Sequence, residues 1–114
     1  MRFLFSVVLS FIALLSVCNT IVFSEESVID LDAGAQVFSQ NCVSCHAGGN
    51  NLVNPLKTLS LKDLETNSRD NVKGIITQVT YGGNGMPVFG ERLSDEEIIN
   101  VANYVLNQAK NSAW

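Results

Sequence analysis

Two cysteines three positions apart, Cys42 and Cys45, are followed at once by His46, the only histidine in 114 residues. No other feature restricts the chain so tightly. Thiols at i and i+3 fall on one face of a helical turn, spaced to add across the two vinyl groups on one edge of a porphyrin. The imidazole at the next position then points at the iron, and Cys-x-x-Cys-His is the pattern of covalent haem attachment. Rival chemistries share these atoms. A thioredoxin-like pair would follow a strand in a βαβ setting, whereas the segment before Cys42 reads as helix. A structural zinc would need four ligands, and this cluster falls one short. A Cys42–Cys45 disulfide would close too small a loop to stabilise the domain much.

The remaining cysteine, Cys18, lies in a different kind of sequence. After Met1-Arg2, residues 3–24 are uncharged and apolar residues dominate 3–17; the first acids are Glu25 and Glu26. A basic start, an apolar stretch and a polar end of small residues predict an export signal over residues 1–24, cleaved after Ser24 with Val22 at the minus-three position. The run is long enough to span a bilayer as an anchor. Ser6, Ser10, Ser16, Asn19 and Thr20 dilute it, however, and no basic cluster follows. Val17 is too large to precede a lipidated cysteine, so Cys18 is assigned to the discarded segment. Export suits haem attachment, which takes place on the far side of the membrane.

A single domain, 25–114, remains. Its six basic and eleven acidic residues give a net charge of −5, against −4 for the whole chain. Without a basic stripe to track phosphates, nucleic-acid binding is excluded. A domain this small sits near the lower edge of what one core can stabilise and often leans on a cofactor.

The sixth iron position must be filled from elsewhere or stay open. Apart from Met1 the only methionine is Met86, within Gly82-Gly83-Asn84-Gly85-Met86-Pro87. A lone methionine is ordinarily core filling. Core methionines belong on periodic apolar faces, though, and a glycine-rich loop instead brings backbone close to a flat cofactor, with Pro87 narrowing the conformations of Met86. His/Met ligation favours Fe(II) and raises the potential relative to bis-His. With both positions filled, the iron passes single electrons and the protein is not an enzyme. With Met86 unbound, it would be a haem enzyme or gas sensor with an open iron site.

Periodicity predicts an all-α domain of about four helices. The first spans about residues 33–45 with Asp30 or Asp32 as cap, and Gly34, Phe38, Cys42 and Cys45 form one stripe. A loop over 47–55 turns beneath the histidine, where a backbone carbonyl, with Pro55 the candidate, should accept the other imidazole N–H. Ser60 opens a short second helix. A third starts at Ser68, carries Val72, Ile75, Ile76 and Val79 on one face and ends at Gly82. Ser94-Asp95-Glu96-Glu97 is a capping box for the last, whose apolar face is Ile98, Val101, Ala102 and Val105 after Leu93.

Taken together, Gly34-Ala35-Gln36-Val37-Phe38, Cys42–Asn51, Gln78-Val79-Thr80-Tyr81-Gly82 and Gly85-Met86-Pro87-Val88-Phe89 running into Arg92–Glu97 are similar to the class I cytochromes c, and within them to the cytochromes c6 of algae and cyanobacteria. The resemblance covers essentially all of residues 30–114. It implies the small class I cytochrome c fold around one haem c, with Cys42 and Cys45 as thioether attachments and His46 and Met86 as axial ligands. It further implies a monomer in the thylakoid lumen, plastid or cyanobacterial, carrying electrons from the cytochrome b6f complex to photosystem I without stable membrane association. Gln78 would lie beside the haem and help keep its potential high, and Arg92 would belong to a docking area near the exposed haem edge. The first and last helices would cross closely at Gly34, with Phe38 near Val101 and Tyr104. The low-potential plant form carries an extra cysteine pair that residues 25–114 lack. Donation to a respiratory oxidase is the alternative use of the same fold.

Overall fold

Asp30 opens the first helix by accepting the N–H of Ala33 through its side chain at 2.9 Å. From there α1 runs Leu31–Asn41, two residues earlier than the periodicity alone suggested. The computed structural model describes residues 27–114 together with Leu4 and Val7; the rest of the expected leader and its cleavage site lie outside the described residues. After α1 come the single turn α2 (Val43–His46), a 3-10 turn over Ala47–Gly49, α3 (Leu61–Thr66), α4 (Val72–Tyr81) and α5 (Asp95–Asn111). Among the described residues there is no strand, only a bridge between Gly83 and Met86, so the domain is all-α as expected.

The core is the seam where α1 and α4 pack on α5. Phe38 from α1, Ile75 and Val79 from α4, and Ile98, Val101, Ala102 and Val105 from α5 are all buried there. Burial of a valine such as Val101, only 1% exposed, contributes about 1.5–3 kcal/mol. The α1–α5 crossing is close because Gly34 has no side chain: a Cβ there would overlap the Asn100 carbonyl and lie 2.9 Å from the Tyr104 Cβ. Buried Asn100 also accepts the Asp30 N–H at 3.0 Å, tying the start of α1 to α5. The ring of Phe38 lies 5.5 Å from Tyr104 and 5.3 Å from Trp114, centre to centre.

Helix ends follow local chemistry. Ser94 and Glu97 form the reciprocal capping box of α5, which satisfies two backbone donors, and Leu93 packs against the core just before it. Ser60 caps α3 by accepting the Asp63 N–H. The next helix begins at Val72 rather than Ser68, because residues 67–69 finish α3 instead. Ser68 adopts φ 55°, its N–H reaches the Glu65 carbonyl at 3.1 Å, and the Arg69 N–H reaches that of Leu64 at 2.7 Å. That is a Schellman closure. Asn71 then caps α4 by accepting the Gly74 N–H at 2.7 Å.

Candidate haem site

The helix expected to run through Cys45 breaks at Cys42. Its N–H still bonds to the Phe38 carbonyl at 2.9 Å, but its backbone opens to φ −118° and ψ −29°. A tighter turn follows, in which the Cys42 carbonyl accepts from both Cys45 and His46 N–H at 3.2 and 2.9 Å. Cys42, Cys45 and His46 remain half-buried and share the wall of one cavity of about 300 Å³. Phe38, Ile75, Val79, Phe89, Val101 and Val105 make much of that wall apolar.

Inside the loop after the histidine, Nδ1 of His46 lies 2.8 Å from the carbonyl oxygen of Asn50. A carbonyl only accepts, so Nδ1 carries the proton and Nε2 of the neutral ring keeps its lone pair. Asn50, not Pro55, is therefore the orienting carbonyl. The loop is held by Asn51, whose Oδ1 accepts the N–H groups of Val53 and Asn54 at 3.1 and 2.9 Å and whose amide donates to the Lys57 carbonyl at 2.9 Å. Sequence reasoning passed over Asn51, although such side-chain-to-backbone turns are what asparagine favours. Burial pushes the Cys42 thiol up to about 11, the opposite of the depressed value a reactive dithiol needs.

Met86 reaches the same cavity from a different element. Gly83 and Met86 exchange both backbone hydrogen bonds, at 2.9 and 3.1 Å, and the central residues Asn84 and Gly85 have φ of 52° and 90°. Positive φ at both positions is the signature of a type I′ turn, for which Asn-Gly is the preferred pair. The turn folds back on the end of α4 at Gly82, φ 61°, where a Cβ would overlap the Met86 carbonyl and lie 2.6 Å from that of Pro87.

Gln78 sits beside the methionine. Its Nε2 is 3.2 Å from the Gly82 carbonyl and 3.7 Å from the Met86 sulfur, while its Oε1 accepts from Arg69 Nε at 3.3 Å. Arg69 lines the cavity too and was not singled out from the sequence, where a lone arginine between two helices carries no signal. Arg92 is not on the cavity wall. It is exposed, with its guanidinium 5.7 Å from the ring centre of Phe89, which is buried and does line the cavity.

A family model described as cytochrome c oxidase, cbb3-type, subunit III matches residues 30–105. The curated cytochrome c6 of Gracilaria tenuistipitata var. liui is 55% identical over 82 residues, 72% of this chain and 76% of that one. The crystal structure of cytochrome c6 from the diatom Phaeodactylum tricornutum superposes with a TM-score of 0.71 at 52% identity, covering 75% of this chain and 99% of that one.

The chain belongs to the cytochrome c6 family. Its cofactor is one covalently bound haem c, and it is an electron carrier with redox partners. Oxidised cytochrome c6A of Arabidopsis thaliana shares the fold at a TM-score of 0.70 but only 35% identity, covering 74% of this chain and 94% of that one. The donor set fits the family's cofactor: two thiols, an imidazole with a free Nε2 and a thioether converge on one mostly apolar cavity. Among the described residues no helix is long and apolar enough to cross a membrane.

Proposed function

We propose that this protein carries single electrons from the cytochrome b6f complex to photosystem I in the thylakoid lumen, after removal of residues 1–24. Cys42 and Cys45 would hold the porphyrin through thioethers, and His46 and Met86 would ligate its iron. When bound, haem c supplies a one-electron Fe(II)/Fe(III) couple. The observation that carries the reading is the His46–Asn50 hydrogen bond beside a cavity that Met86 also lines. It frees one imidazole nitrogen for a metal and keeps the ring from turning. With both residues bound, no ligand would be lost between oxidation states, which would keep reorganisation small, and no iron position would be left for oxygen or peroxide, which fits an electron carrier rather than an enzyme. Arg92, stacked over Phe89, presents a cation on the surface that belongs to the docking area. Against a net charge of −5 for residues 25–114, such fields act on encounter rates more than on affinity.

The test is flash kinetics with the purified, haem-loaded protein and photosystem I particles. Second-order re-reduction of the oxidised photosystem, with a rate that changes with ionic strength, is expected. No re-reduction, alongside rapid oxidation by respiratory membranes, overturns the assignment in favour of a second reading, donation to a respiratory oxidase. The description of the matching family model, an oxidase subunit, is what favours that second reading; the cytochrome c6 relatives at 50–57% identity support the first.

A further inference from the structure

The Gln78 amide has two ends that differ chemically, and everything it does to the neighbouring sulfur depends on which end faces it. The Nε2 end is a donor and would draw electron density from the thioether; the Oε1 end is an acceptor and would repel it. Two contacts decide between them. The Gly82 carbonyl, 3.2 Å from Nε2, can only accept. The Arg69 guanidinium, with Nε 3.3 Å from Oε1, can only donate. Arg69 is not a free surface side chain either. Its backbone N–H closes the Schellman end of α3 on the Leu64 carbonyl at 2.7 Å, and its NH1 donates to the Ser68 carbonyl at 3.2 Å.

We propose that Arg69 is a positioning residue for the axial thioether: clamped at the end of α3, it holds Gln78 with Nε2 toward the Met86 sulfur and so favours the reduced iron. The inference rests on Met86 being the axial ligand and adds a residue to that site. Hydrogen bonds to a charged donor are stronger than neutral ones and polarise the group they bind. The guanidinium therefore both fixes the amide and makes its N–H a better donor to sulfur. Loss of the cation removes both effects, and the oxidised form gains.

The experiment is a redox titration of the exported, haem-loaded protein and its variants, with the visible spectrum recorded at each poise. The oxidised parent should show the far-red band of a methionine–iron bond; its absence overturns the ligand assignment itself, separately from the role of Arg69. With the band present, Arg69→Met should shift the Fe(III)/Fe(II) ratio at fixed ambient potential about three- to tenfold toward Fe(III), the size of one hydrogen bond, a fall of up to about 59 mV for a one-electron couple. In the Gln78→Leu background the same change should move the potential by less than half as much, because Arg69 acts through the amide. Arg69→Lys keeps the charge without a donor at the Nε position and should recover only part of the shift. An unchanged potential in Arg69→Met, an equal shift with and without Gln78, or the full parental potential in Arg69→Lys would each overturn the positioning role.

Discussion

His46 and Met86 reach one cavity from two different kinds of backbone. On the histidine side the proposed ligand sits in a helical turn directly after the two cysteines proposed to attach the porphyrin, and a single carbonyl, that of Asn50, sets the ring. On the methionine side the proposed ligand follows a two-residue turn, and Gln78 of α4 reaches its sulfur while Arg69, at the end of α3, bonds to Gln78. The first arrangement is short-range: residues 42–50 contain nearly all of it. The second draws on residues 69, 78, 82 and 86. A ligand held by near neighbours is hard to displace, whereas one held through a relay is adjustable. On the proposed ligation, the histidine side would work as the anchor and the methionine side as the place where the potential is set.

The largest expected effect removes the anchor. Cys42→Ala with Cys45→Ala should abolish covalent haem, read as loss of the porphyrin mass and of the Soret band after denaturing extraction. A domain this small should then lose most of its cooperative melting. Retention of covalent haem in the double variant would break the anchor half of the comparison. Next in size, Met86→Ala should admit carbon monoxide and shift the Fe(III)/Fe(II) ratio toward Fe(III) by more than tenfold, over about 59 mV, while the porphyrin stays attached. Without both changes, the thioether is not the ligand.

Two glycine substitutions sharpen the contrast. Gly82→Ala forces a side chain into a backbone region open essentially to glycine alone, at a cost of about 1–3 kcal/mol, and against the Met86 carbonyl. It should weaken the far-red methionine band before it lowers the melting temperature much. Gly49→Ala, at φ 74° and pressed on the Trp114 ring, costs about 1–2 kcal/mol for the left-handed backbone. It should lower the melting temperature and leave that band intact. Equal effects on the band would erase the distinction between the two sides.

Much of this was legible before any coordinates, and the limits have physical reasons. The capping box at Ser94 and Glu97 and the apolar face of α4 are local patterns, the Gly34 crossing followed from the family resemblance, and each took shape as expected. The break at Cys42 left no mark, because the stripe through Phe38, Cys42 and Cys45 keeps helical spacing whether or not the backbone opens. The start of α4 was misplaced because Ser68 and Asn71 are both good caps and only the Schellman closure decides between them. The Asn50 carbonyl is backbone, so no residue type advertises it. Arg69 meets Gln78 only after α3 and α4 have been placed, and no spacing rule joins them.

The smallest expected effect returns to the histidine side. The side chain and backbone N–H of Thr58, with weaker help from Lys62 and Ser60, hold the Asp63 carboxyl below the usual carboxylate range. Its folded pKa lies below the unfolded one, so the stabilisation is present above the unfolded value, about 3.9, and fades as pH falls through the folded value. Asp63→Asn should flatten the acid limb of a plot of melting temperature against pH and leave the redox midpoint where it was. A shifted midpoint would show that the two sides are coupled after all.

The tight turn that carries Met86 also limits how the polypeptide can vary in length. Residues 51–60 are held largely by side-chain-to-backbone contacts, which should re-form around an extra residue or two. Between Gly83 and Met86, by contrast, one inserted residue would slip the pairing and swing the thioether to the opposite face. Insertions and deletions in related chains should therefore accumulate under the imidazole and be nearly absent beside the sulfur.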